Sequence, residues 1–200
     1  MTSVLDDWLQ PRPGCGAGGV SDRLSRLGPA ARERRDGADD ADHPDTGLIS
    51  AAPQTRFRER VTYGLRTALN AQAPGDLVAV SRMDVLLGPE RRARPDVAVV
   101  DDLAASDDRR TCYLAEEVRL VIEVVNPGSA LSDRDLRPLH YAAAGIPHFW
   151  RVEGTDSRPF VYSFRLDAEG TGYQMTGVHH TRLAVDAPFP IAIDLERLPR

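Results

Sequence analysis

The chain contains no lysine: all 25 of its basic residues are arginine, set against 30 acids. Any mechanism that needs a lysine, as base or as amine nucleophile, is thereby excluded. The bland reading of this composition is a coding bias toward Arg, Ala, Gly and Asp. Cysteine is scarce too. Cys15 and Cys112 do not make a disulfide framework, and neither has partners at metal-binding spacing. No apolar run approaches the ~18 residues of a membrane helix. The opening stretch MTSVLDDWLQ lacks a basic n-region and carries Asp6 and Asp7, which speaks against a signal peptide and for a cytoplasmic protein. The net charge of −5 excludes a general basic coat for nucleic acid and leaves room for a local basic groove. H-E-x-x-H, G-x-S-x-G and phosphate-loop motifs are absent.

What is present is ordinary for a soluble globular chain: 200 residues, 42% apolar and 28% charged, enough for one domain with its own core. The first 46 residues stand apart. They hold six arginines, nine acids and ten Gly or Pro, with few large apolar side chains. Such a stretch buries too little apolar surface to offset its ordering entropy. Residues 1–46 are therefore expected to be mostly disordered, and 47–200 to form the domain. The abrupt loss of pattern upstream of Leu48 suggests a shifted reading frame or start.

From residue 47 the periodicity becomes globular. Thr55 precedes Phe57, Val61, Leu65, Ala68 and Leu69 at helical spacing, which predicts a helix over 55–73. Strands are expected at 77–80, 83–87 and 96–100, followed by an acidic loop at 101–110. The most regular strand is 118–125. Val118, Leu120, Ile122 and Val124 should face one way, and Arg119, Val121, Glu123 and Val125 the other. Ser132 and Asp135 have capping-box spacing for the next helix; Pro138 argues for regular helix from about 138 to Gly145, or for a kink at 138. Strands at 149–152, 160–164, 173–178, 183–185 and 191–193 close the chain. The order predicts an α/β fold, a mixed central sheet flanked by helices.

Three features invite a chemical reading. Gly14, Gly16 and Gly19 spell G-x-G-x-x-G, but no strand leads in, so a flexible tail is the better account. His179 and His180 are strand neighbours facing opposite ways and cannot chelate from one face. His43, His140 and His148 lack ligand spacing. The acids say more. Asp96 follows Pro95 at the start of an apolar strand, and Glu123 lies inside another, between Val121 and Val125. Glu123 either faces solvent, pairs with an arginine, or shares a divalent cation with Asp96. A buried carboxylate needs such compensation, and hard oxygen ligands suit Mg²⁺ or Mn²⁺.

Arg94-Pro95-Asp96 before an apolar strand, then Leu120 to Ser129 (LVIEVVNPGS), resembles the Uma-two family of restriction endonucleases. So does Asp133 to Pro138 (DRDLRP), followed by Tyr141 to Val152 (YAAAGIPHFWRV). That family belongs to the PD-(D/E)XK nuclease superfamily. The resemblance runs from about residue 48 onward, in the family's order and spacing. It implies a restriction-endonuclease-like fold and metal-dependent hydrolysis of DNA phosphodiesters. It assigns Asp96 and Glu123 as ligands of Mg²⁺ or Mn²⁺ and Arg137 to the catalytic third position. DNA is the implied partner, and a homodimer follows by analogy with restriction enzymes.

The chain departs from that pattern in three places. The usual lysine position two residues after the second acid is Val125, and the alternative position on the next helix is Arg137. Arginine stays protonated, so it stabilises charge but is no general base. The acidic segment before the first strand lacks its glutamate, with Asp45 the nearest substitute. Phe57 and Arg58 stand where a histidine often opens the first helix. These departures predict a weakened or inactive nuclease; the alternative is a non-catalytic binding protein on the same fold. Arg119 and Arg134 are further candidate phosphate contacts, and Arg137 alternatively pairs with Asp96, Glu123 or Asp133.

Overall fold

The structure is a computed structural model that describes residues 55–125, 131–155 and 158–198. The tail 1–46, with its glycine motif, Asp45 and the proposed upstream segment, lies outside the described residues, as do the side chains of Ser132, Asp133, Arg134 and Asp135.

Helix α1 (Arg56–Asn70) begins where Thr55, in extended conformation, accepts the Arg58 N–H on its hydroxyl at 3.2 Å. A cap of this kind contributes ~1 kcal/mol. Its buried stripe is Arg58, Val61, Thr62, Leu65 and Leu69, the 3.6-residue repeat of one helix face. The helix stops at Asn70, short of 73, and Asn70 has a second task. Its amide donates to the Ala79 carbonyl at 3.0 Å and accepts the Ala79 N–H at 2.7 Å. That pairs both backbone groups of Ala79 on an edge strand, where unpaired groups invite another chain.

Strands follow as β1 (Leu77–Ser81), β2 (Asp84–Leu86), β3 (Arg92–Ala93) and β4 (Val97–Asp101). Next come the short helix α2 (Asp102–Ala105), β5 (Cys112–Leu114), β6 (Val118–Val124) and helix α3 (Leu131–Ala143). The chain closes with β7 (His148–Thr155), β8 (Arg158–Leu166), β9 (Tyr173–His179), β10 (Arg182–Val185) and β11 (Ile191–Asp194). Six strands form the central sheet in the order β1-β4-β6-β7-β8-β9. The β6–β7 pair is parallel and the other four pairs are antiparallel, so the sheet is mixed, as expected.

Two apolar layers sandwich this sheet. One joins Val61, Leu65 and Leu69 of α1 to Val97, Val99, Leu120, Ile122 and Val124. The other joins Tyr141 of α3 to Ala98, Val100, Val121 and Phe149. Alternate strand residues enter alternate layers, which places α1 and α3 on opposite faces. Val118 breaks the alternation and lies in the second layer rather than beside Leu120. The cause is a β-bulge: Val99 pairs with Leu120 and Val100 with Val118, which leaves Arg119 as the extra residue.

Helix α3 corrects the expectation of a start near 138. It runs from Leu131 to Ala143 with Pro138 inside. Proline there removes one helical hydrogen bond, and the helix forms because a parallel β6–β7 pair needs a crossover. Its end is a Schellman cap. Gly145, at φ +77°, donates to the Ala142 carbonyl at 2.9 Å, and Ile146 donates to that of Tyr141 at 3.1 Å. The stretch 101–110, an acidic loop by sequence, opens instead with the short helix α2.

Candidate active site

Strand register brings the two acids together. Val97 pairs with Ile122, so the next step of the same antiparallel register sets Asp96 beside Glu123. The crossover then delivers α3 over the end of β6. Arg137 and Tyr141 are four residues apart and share one helix face.

Four hydrogen bonds among the described residues hold the site together. The Tyr141 hydroxyl donates to Glu123 Oε1 at 2.6 Å, and Arg137 Nη1 donates to Glu123 Oε2 at 2.9 Å. From α1, Arg58 Nε donates to Asp96 Oδ1 at 2.6 Å. The backbone N–H of Val124 donates to Asp96 Oδ2 at 2.7 Å, tying the start of β4 to the end of β6. All four charged side chains belong to residues at most 6% exposed, and Tyr141 is fully buried.

This geometry sets the electrostatics. Burial pushes the Glu123 carboxyl above the usual glutamate range. Arg137 opposes that shift, and the neighbouring Asp96 adds to it. Burial also raises the Tyr141 phenol well above its ordinary value, with the Glu123 charge acting in the same direction. Tyr141 is therefore a donor at neutral pH. Both Glu123 oxygens accept from donors, which is the pattern of an ionised carboxylate.

Of the sequence-predicted residues, the structure brings Asp96, Glu123 and Arg137 together. It does not bring Arg119. That side chain forks onto Asp101 at 3.0 and 2.9 Å, four residues from Glu123 or ~13 Å along the strand. Two members of the site were not anticipated. Arg58 sits at a core position of the α1 stripe, and an arginine in an apolar stripe is the sequence signal that was available. Tyr141 could have been found from its i,i+4 relation to Arg137. Arg151, opposite Glu123 on β7, is held by Glu153 at 2.9 Å and lies over the Tyr162 ring at 4.6 Å.

The donor chemistry can be tested against a divalent ion. Carboxylate oxygens are the right ligands for Mg²⁺ or Mn²⁺, and each retains a second lone pair. The charge balance is wrong. Two guanidinium groups already neutralise two carboxylates, and a further double charge would enter a site nearly closed to water. Repulsion between cations is strong there. Among the described residues no group of three or more His, Cys, Asp or Glu is disposed to hold a metal. As arranged, the residues do not fit the ion.

A large mixed sheet flanked by helices is an architecture shared with nuclease-fold proteins. A crystal structure with this architecture is that of a putative nuclease belonging to DUF820 from Anabaena variabilis ATCC 29413. It matches at a TM-score of 0.58 and 16% identity, over 75% of this chain and 84% of that one. At that identity the likeness concerns the fold. The family is settled by sequence: the model of the Uma2 family, described as "Putative restriction endonuclease", matches residues 39–196. The chain belongs to the Uma2 family, which fits the PD-(D/E)XK superfamily. No curated protein matches it. The family match begins inside the tail, at residue 39. Among the described residues no helix is long and apolar enough to cross a membrane.

Proposed function

We propose that the chain is an endonuclease-family protein directed at the DNA phosphodiester backbone, with hydrolysis strongly weakened. The observation that carries this reading is the buried Arg137–Glu123 pair. Divalent metal is the general cofactor of restriction-endonuclease-like families, and Asp96 and Glu123 are the residues that would hold it once an arginine is displaced. Here each carboxylate is held by an arginine instead. Arg137 is positioned to stabilise negative charge on a phosphate, but it cannot take a proton from water. Tyr141, its phenol raised by burial and by the Glu123 charge, is likewise a donor and not a base. Metal-dependent cleavage is therefore a property we assign to a chain with Arg137 relaxed, more than to the wild type. The homodimer remains a proposal by analogy with restriction enzymes.

The test is cleavage of plasmid and single-stranded DNA with Mg²⁺ or Mn²⁺ by wild type, Arg137→Lys and Glu123→Ala. We expect little or no metal-dependent cutting by the wild type and a gain of ~10-fold or more in Arg137→Lys, equivalent to ~1.4 kcal/mol of barrier. Glu123→Ala should abolish it. A second reading, a non-catalytic nucleic-acid-binding protein, is favoured by Arg58 closing Asp96 as well. DNA binding without cleavage by either wild type or Arg137→Lys would establish that reading in place of the first.

A further inference from the structure

We propose that Arg58 and Arg137 are the resident counterions of this site, occupying electrostatically the place of a divalent cation, and that removing either one opens a site for a divalent cation of the Mg²⁺ or Mn²⁺ class. The argument is one of charge and donor count. Asp96 and Glu123 are neighbours by strand register, and two carboxylates this deeply buried cannot both stay ionised without two positive charges or their equivalent. One doubly charged ion would supply them. So do two guanidinium groups, one from each helix layer, at 2.6 and 2.9 Å from the carboxylate oxygens.

The remaining oxygen of each acid is also engaged. Asp96 receives the Val124 amide and Glu123 the Tyr141 hydroxyl. Among the described residues the quartet is thus neutral, with a hydrogen-bond donor on every carboxylate oxygen. An incoming divalent ion would leave it with two excess positive charges. Loss of Arg137 reverses the balance: among the described residues Glu123 keeps only Tyr141, the site carries one net negative charge, and a hard cation becomes the natural replacement. Loss of Arg58 does the same at Asp96, where only the Val124 amide remains.

This inference rests on the pairing geometry and stands whether or not DNA is cut, so its test reads metal rather than activity. Mn²⁺ is titrated by calorimetry into the metal-free full-length wild type, Glu123→Gln, Arg137→Gln, Arg58→Gln and the double variant Glu123→Gln/Arg137→Gln. Thermal unfolding is followed with and without Mn²⁺. We expect no Mn²⁺ uptake by the wild type that depends on Glu123, and an unchanged melting temperature. Arg137→Gln should melt lower than wild type without metal, bind one Mn²⁺ and recover part of the loss, and the double variant should do neither. Wild-type Mn²⁺ binding that Glu123→Gln abolishes would overturn the proposal. So would an Arg137→Gln or Arg58→Gln protein that folds and shows no Mn²⁺ dependence. Should neither variant fold, the wild-type titration decides alone. Cleavage by a wild type that takes no Mn²⁺ at Glu123 would leave this inference standing and require the nuclease reading to be recast without metal.

Discussion

Strands β4 and β6 carry acid–arginine pairing at both ends, and the two ends differ chiefly in their access to water. At one end Asp96 and Glu123 meet Arg58 and Arg137, all buried. At the other, Arg119 grips Asp101 in a two-pronged fork with side chains 43% and 33% exposed. The exposed pair has the better geometry, two hydrogen bonds, one to each carboxylate oxygen. Yet removal of a partner should matter far more at the buried end, because a stranded charge there cannot rehydrate. Distance alone is a poor guide to what an ion pair contributes.

The largest effect that would test this contrast is Arg58→Ala. It leaves Asp96 buried with only the Val124 amide as partner, and breaking a buried pair on one side costs ~3–5 kcal/mol. Urea unfolding should show that loss. The double replacement Arg58→Met/Asp96→Leu should recover most of it, since a buried pair exchanged whole for apolar groups is often neutral. If the double variant stays as unstable as the single one, the cost lies in lost packing or in the Val124 tie, and the contrast with the exposed end loses its electrostatic basis.

A smaller effect follows from Glu123. Its carboxyl is raised in the folded protein, by burial first and by Asp96 in the same direction. The folded state therefore holds this proton at a pH where the unfolded chain has released it. Stability from this group is fully present below the ordinary glutamate value near 4.5 and declines as pH rises through the raised value. Glu123→Gln should remove that decline. Stability measured from acid to neutral pH would show a flatter profile in the variant; parallel profiles would mean the Arg137 contact cancels the burial.

The sequence disclosed the frame of this site more readily than its closure. Alternation in β6 and the break after Pro95 were enough to single out Asp96 and Glu123, because strand periodicity is local. Arg137 was legible by its place in the family pattern. Arg58 was not, although it occupies a core position of α1. A helix pattern says which face is buried, but not that an arginine there extends across a layer to an acid 38 positions away. The bulge at Arg119 was equally hidden, since register is decided between strands. It moved Val118 to the other layer and left Arg119 on Asp101, when simple alternation had grouped Arg119 with Glu123. Pro138 misled in the opposite sense: local backbone preference argued for a late helix start, and the crossover between parallel strands overrode it.

The smallest predicted effect completes the comparison. Arg119→Ala removes the fork onto Asp101 but leaves Asp101 partly solvated at the sheet margin. Exposed pairs contribute ~0–1 kcal/mol, and screening by salt reduces even that. The bulge gives a reason to expect the upper part of that range: Arg119 is the unpaired extra residue, and its fork ties the bulge to the end of β4. Urea unfolding of Arg119→Ala at low and high salt separates the two contributions. A loss below ~1 kcal/mol that shrinks with salt is the behaviour of a charge pair in water. A loss of several kcal/mol insensitive to salt would mean that the fork holds the β4–β6 register itself. The exposed end would then be a structural tie comparable to the buried one, and water would no longer explain the difference between them.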